Sequence, residues 1–212
     1  PLDEMLAETL GGFNAIKEIR ERRKKLEEQQ QKWAKDQPLN ENVVIEDREI
    51  PGPEDAPSVG VRIYHPKAAS GVLPGIFFIH GGGMIMGSVE GEKLKATELC
   101  EVIQAVVVSV EYRLAPEHLH PAPVQDCYAA LKWMAQNADE LAFDVDRLAV
   151  VGGSAGGGLT IATTMMARDK GFPRICFQMP LYPMIDDRNE TPSSYEIMDV
   201  GVWDHEGNVE AG

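Results

Sequence analysis

The sequence predicts an α/β fold, a mostly parallel sheet with helices on both faces, and three observations carry that prediction. From Gly75 onward, short apolar runs of strand type alternate with longer helix-compatible runs. The strand candidates are near-continuously apolar, as strands covered on both faces must be. Two glycine-rich motifs, His80-Gly81-Gly82-Gly83 and Gly152-Gly153-Ser154-Ala155-Gly156, then fall at the carboxyl ends of two of those strands, where such sheets bind ligands.

Taken in order, residues 1–40 differ from the rest. Ile16 to Glu28 reads as a charged helix whose Ile16, Ile19, Leu26 and Trp33 form only a narrow apolar stripe. Acidic residues interleave its basic cluster, which favours a cap helix packed over a site mouth above one lying on a membrane. The chain thus divides into N-terminal cap helices, 1–40, and a core, 41–212. Val43 to Ile50 and Val59 to Tyr64, punctuated by Pro51-Gly52-Pro53, read as an antiparallel lead-in to the sheet. Gly75 to Ile79 is a strand, Glu92 to Ile103 a helix and Ala105 to Val110 a strand. Val124 to Gln136 is a helix, Arg147 to Val151 a strand, Leu159 to Ala167 a helix and Ile175 to Met179 a further strand.

The chemistry is concentrated in the two motifs. Gly152 to Gly156 fits the G-x-S-x-G elbow, in which a strand ends in a sharp turn and a helix starts at once, pushing the serine Oγ into an open pocket. Gly152 and Gly156 are expected where the strand and helix backbones nearly touch. The glycines after His80 bring backbone N–H groups close to a ligand, so Gly82, Gly83 and Ala155 are the expected donors to a tetrahedral oxyanion and Ser154 the expected nucleophile. Met84 and Met86 follow that loop and are candidates to touch an acyl chain. A phosphate-binding loop is excluded because Gly158 is followed by Leu159 and not lysine. A dinucleotide fingerprint is excluded because Gly81-x-Gly83 leads to Met86, and Gly156-x-Gly158 to Ile161.

With these blocks and Tyr112-Arg113-Leu114-Ala115-Pro116-Glu117 between them, the chain resembles the hormone-sensitive-lipase-like branch of the α/β-hydrolases, bacterial family IV type esterases among them, from about Val43 to Tyr182. The resemblance implies an α/β-hydrolase-type sheet, hydrolysis of short or medium acyl esters, and an N-terminal segment forming part of a cap. That family commonly carries Asp before the serine, where this chain has Gly153. It also continues through further strands bearing an acid and a histidine, so the chain reads as C-terminally truncated, with part of the core missing. His205, the single histidine after Ser154, stands in Trp203-Asp204-His205-Glu206, a stretch that by resemblance belongs to cap or connecting structure. Asp186 and Asp187 read as solvated loop carboxylates. The general base stays unassigned. Two other readings stand beside the esterase: a non-catalytic small-molecule-binding relative, and an inactive fragment stabilised by association.

Composition bounds these expectations. The 212 residues, 43% hydrophobic, suffice for one domain with a sizeable core, and no run has the length of a membrane span. The net charge of −14, from 20 basic and 34 acidic side chains, argues against a nucleic-acid partner. Cys100, Cys127 and Cys176 suggest neither a disulfide framework nor a zinc site, and His118 with His120 lacks a third ligand at recognisable spacing, so no metal and no cofactor are expected. Arg113 and Glu117 are expected to hold a loop by ionic contacts, with Asp126 near a helix start. A soluble, cytoplasmic protein is expected, with a small ester as substrate and with a second copy or a partner covering the open sheet edge.

Overall fold

The computed structural model describes residues 18–35, 40–196, 198 and 203–211. Its elements are α1 (Ile19–Lys35), β1 (Val43–Ile50), β2 (Val59–Pro66), β3 (Leu73–Ile79), α2 (Lys93–Ile103) and β4 (Val106–Glu111). These are followed by α3 (Ala122–Gln136), β5 (Phe143–Gly153), α4 (Ala155–Lys170), β6 (Phe177–Leu181), a 3-10 turn over Pro192–Tyr195, and α5 (His205–Ala211). Of the charged helix expected from Ile16, Ile16 itself and the side chain of Trp33 lie outside the described residues.

Six strands form one sheet in the order β1-β2-β4-β3-β5-β6. β1 pairs antiparallel with β2, and β2 with β4. β3 runs parallel to both β4 and β5, and β5 parallel to β6. The expected antiparallel lead-in to a parallel sheet is therefore present.

Strand alternation splits the core into two layers. On one face Phe77, Ile79, Val108 and Val150 pack with Leu131 and Met134 of α3 and Leu159 of α4. On the other, Tyr64, Ile76, Phe78, Val107 and Val151 pack with Ala96 and Cys100 of α2. Each strand side chain at i and i+2 meets the same layer, which is why near-continuous apolar runs were needed.

β5 begins four residues before the expected Arg147. Phe143 and Asp144 pair with Leu73 and Pro74, and the register then slips so that Gly75 meets Leu148. Asp144 stabilises the extra loop thus created, accepting from the Asp146 N–H at 3.0 Å and from Arg147 Nε at 2.9 Å. Such a bulge breaks the apolar run, and the sequence reading took the break for the strand's start.

Candidate active site

The elbow is built as its spacing requires. β5 ends at Gly153, α4 starts at Ala155, and Ser154 between them holds φ 56°, ψ −120°. A positive φ at a residue with a side chain is unfavourable and persists only where the surroundings enforce it. Here the Ser154 N–H donates to the Leu181 carbonyl at 3.0 Å, while the Ser154 carbonyl accepts from Gly158 and Met184 N–H groups, each at 3.0 Å. The neighbouring strand end therefore pins the turn from outside.

Both flanking glycines are close approaches, though not to the same partner. A Cβ on Gly152 would overlap the Gly156 carbonyl oxygen, the expected strand-to-helix contact. On Gly156 it would instead overlap the Ile79 carbonyl and press on that of His80. Gly156 thus brings α4 against the end of β3, which carries the other motif, while its carbonyl meets Gly152 of its own strand. The one-residue motif spacing fixes the distance between two separate loops.

In the second loop Gly82 takes φ 120°, and an added Cβ would overlap the Met86 carbonyl. The turn is closed by Ile85 and Met86 N–H groups donating to the Gly82 carbonyl at 3.2 and 2.9 Å. Gly81 lies on the elbow, where a Cβ would stand 2.9 Å from the Gly153 carbonyl. Among the described residues no hydrogen bond takes the N–H of Gly82 or Gly83. Ala155 N–H, in the first turn of α4, has no acceptor one turn back along the helix.

His80 anchors this loop from beneath. It is fully buried and stacks on Tyr112 with ring centroids 4.2 Å apart. Its Nδ1 faces the Gly81 carbonyl at 2.8 Å, and the Tyr112 hydroxyl donates to the His80 carbonyl at 3.0 Å. Burial lowers the imidazole pKa to about 4, against a weaker upward pull from the Gly81 carbonyl. A neutral ring with its proton on Nδ1 therefore holds the loop at neutral pH.

Ser154 opens on a cleft of about 340 Å³ shared with Gly82, Gly83 and Met86, and closed above by Leu26 and Gln30 of α1 and by Trp203. A second, more polar hollow of about 270 Å³ lies across Ser154, with Tyr182, Asn189, Thr191 and Trp203 on its walls. Of the two methionines expected near an acyl chain, Met86 lines this cleft, whereas the Met84 backbone turns at φ 61° and Met84 lines a separate cavity of about 440 Å³ with His118, Leu119 and Met165.

Sequence reasoning missed Trp203, whose ring lies against the Gly83 backbone so closely that a Cβ there would overlap it. The indole is held by its Nε1 donating to Asn208 Oδ1 at 2.6 Å, and Asn208 in turn donates to Asn189 at 3.2 Å. His205 belongs to the same network: its Nδ1 lies 2.9 Å from Asn189 Nδ2 and 3.1 Å from the Ser194 carbonyl. Among the described residues no side chain hydrogen-bonds the Ser154 hydroxyl.

Asp186 is taken up by Arg188, whose guanidinium holds its carboxyl down at about 2. Asp126 is fully buried and binds Arg113 through both oxygens, at 2.8 and 2.7 Å, besides accepting the Arg113 N–H at 3.0 Å. It lies inside α3, not at its start. No group of three metal-ligating side chains comes together among the described residues.

An elbow serine, a glycine loop with unspent N–H groups and a 1-2-4-3-5-6 sheet define a class, and comparison with known proteins gives the same one. Residues 76–207 match the family model described as alpha/beta hydrolase fold. The chain belongs to that family, in its hormone-sensitive-lipase-like branch. It is 39% identical over 162 residues to the carboxylesterase NlhH of Mycobacterium tuberculosis, covering 76% of this chain and 50% of that protein. With an arylesterase of Saccharolobus solfataricus it shares 38% over 144 residues, 68% of this chain and 43% of the other. Among solved structures, a bacterial heroin esterase superposes with a TM-score of 0.90 at 34% identity, covering 99% of this chain and 66% of that one. The chain spans about half the length of the carboxylesterase it matches.

Proposed function

We propose that the protein is a carboxylic ester hydrolase in which Ser154 attacks the acyl carbon while the N–H groups of Gly82, Gly83 and Ala155 receive the oxyanion. The observation that carries this is that the strained Ser154 lines one cleft with Gly82 and Gly83, whose N–H groups make no hydrogen bond among the described residues. Relatives named as carboxylesterase, arylesterase and heroin esterase support the same reaction class. In the proposed step the serine oxygen forms a bond to the ester carbonyl carbon and loses its proton to a base. The carbonyl electrons move onto oxygen, where pre-oriented donors stabilise the charge by roughly 3 to 4 kcal/mol apiece. Collapse expels the alcohol and leaves an acyl-serine for water to cleave.

The cleft volume suits a short or medium acyl chain, with Met86 and Leu26 as apolar walls. The base is the open part of the reading. His80 is buried beneath the loop, His118 and His120 line the neighbouring cavity, and His205 is engaged by Asn189 and Ser194. The 212 residues alone are therefore expected to turn over p-nitrophenyl butyrate slowly, within the roughly 10³ to 10⁴-fold over water that binding and an oxyanion hole supply without a working triad. Assay of the parent beside Ser154→Ala and His205→Ala tests this. Because that background comes from binding and the oxyanion hole, Ser154→Ala and His205→Ala should each leave it within about twofold. Rapid turnover abolished by His205→Ala would make His205 the base, and rapid turnover surviving Ser154→Ala would remove the nucleophile assignment.

A further inference from the structure

α1 is a strongly charged helix, and of its described residues Ile19 and Leu26 reach the small apolar cluster of Ile85 and Met86 beneath it. That is little apolar surface to hold a helix in place. Arg23 adds a set of polar bonds to that contact. Its Nε donates to the Ile85 carbonyl at 2.6 Å and its Nη2 to the Ala115 carbonyl at 2.6 Å. The same guanidinium forks onto Glu117, with Nη1 to Oε1 at 3.0 Å and Nη2 to Oε2 at 2.9 Å. Only a rigid planar cation with several donors satisfies all these acceptors at once.

The two carbonyls belong to different loops. Ile85 closes the turn on Gly82, and Ala115 precedes Glu117 after β4. These loops are already stitched by the Ala115 N–H donating to the Met84 carbonyl at 2.9 Å. Arg23 completes a ring, Met84 to Ala115 to Arg23 to Ile85, around the outer side of the turn that carries Gly82 and Gly83. Three consecutive positive φ values, 120° at Gly82, 61° at Gly83 and 61° at Met84, lie within that turn, and Met84 carries a side chain, so the turn needs support from outside itself.

We propose that Arg23 is a positioning residue that couples the seating of the cap helix to the shape of the oxyanion loop. The roof residues Leu26 and Gln30 sit one and two turns further along α1, so the group that seats the roof also sets the amides below it. Closure over a substrate and assembly of the oxyanion donors are then one event. This rests on reading Gly82 and Gly83 as the donors, and the test separates that reading from the coupling.

The experiment is hydrogen exchange on the intact protein and three variants, read at the amides of Ile85 and Met86, bonded to Gly82 within the turn, and of Ala115, bonded to Met84. Arg23→Ala should raise their exchange about 10-fold or more while the strands β3 and β4 keep their protection. Arg23→Lys keeps the charge beside Glu117 but lacks the fork, and should leave these amides poorly protected. Glu117→Gln leaves the Nε and Nη2 bonds to the two carbonyls and should stay within about twofold of the parent. If Arg23→Ala frees α1 yet leaves the three amides unchanged, Arg23 only fastens the helix and the coupling is wrong. It is equally wrong if Glu117→Gln loosens the loop as much as Arg23→Ala. In parallel, kcat for p-nitrophenyl butyrate should fall about 10-fold in Arg23→Ala with KM changed far less, because oxyanion donors act on the transition state. Altered exchange with an unaltered kcat would leave the coupling standing and overturn the donor assignment.

Discussion

Ser154 stands between two regions built by different means. Upstream and beneath it, backbone meets backbone: Gly156 lies on the Ile79 carbonyl, Gly152 on Gly156, Gly81 on Gly153, and His80 is fully buried. Beyond Met184, whose N–H bonds the Ser154 carbonyl, the wall of the site is held by side chains, an Asn189, Asn208 and Trp203 network with Asp204 accepting the Gly207 N–H at 2.9 Å. Large apolar side chains there stay in the open, Tyr182 at 74% and Ile185 at 71% exposure. Main-chain contacts tolerate no added atom, whereas side-chain amides can be exchanged at modest cost. The difference separates a rigid side of the Ser154 cleft from one held by exchangeable side-chain contacts.

The sharpest way to break that comparison is to add one methyl group on each side. Gly156→Ala should destabilise the protein by about 3 kcal/mol or more in urea unfolding, because the new Cβ overlaps carbonyls that cannot move without parting α4 from β3. Gly207→Ala on α5 meets the Trp203 ring at an ordinary 3.4 Å and should change stability by less than about 1 kcal/mol. Equal effects would dissolve the distinction.

A smaller effect sharpens it through pH. Burial keeps His80 neutral in the fold down to about 4, while the unfolded imidazole takes up a proton near 6.5. The unfolded state therefore binds more protons in that window, and the stability this group contributes, fully present above 6.5, is lost as pH falls toward 4. Between pH 7 and pH 5 the loss should be about 2 kcal/mol, read from urea midpoints, and His80→Asn should flatten the slope. An unchanged slope in that variant would place the titrating group elsewhere.

The fixed region is also the one that was legible in the sequence. Every expected strand and core helix is present, since alternation and apolar runs are local signals, and the two motifs predicted their own turns. Boundaries failed where a local signal was interrupted, as at the Asp144 to Arg147 bulge in β5. The wall of the site was not legible, because its contacts join distant residues with no shared pattern. Trp203 rests on Gly83, and Arg23 reaches two main-chain carbonyls, which no sequence labels. Met84 and Met86 line different cavities and Met84 takes a positive φ, and residue type carries no record of either.

The central claim is that Ser154 is an activatable nucleophile beside a formed oxyanion hole, and its most direct test is covalent labelling. A preparation that hydrolyses esters rapidly, and so holds a base opposite Ser154, should after incubation with a fluorophosphonate and digestion carry the phosphonyl group on the peptide containing Ser154. Prior denaturation should abolish the label, since the unfolded serine has neither the strained turn nor the donors. Labelling of another serine with Ser154 untouched, in a preparation that hydrolyses esters, would contradict the account.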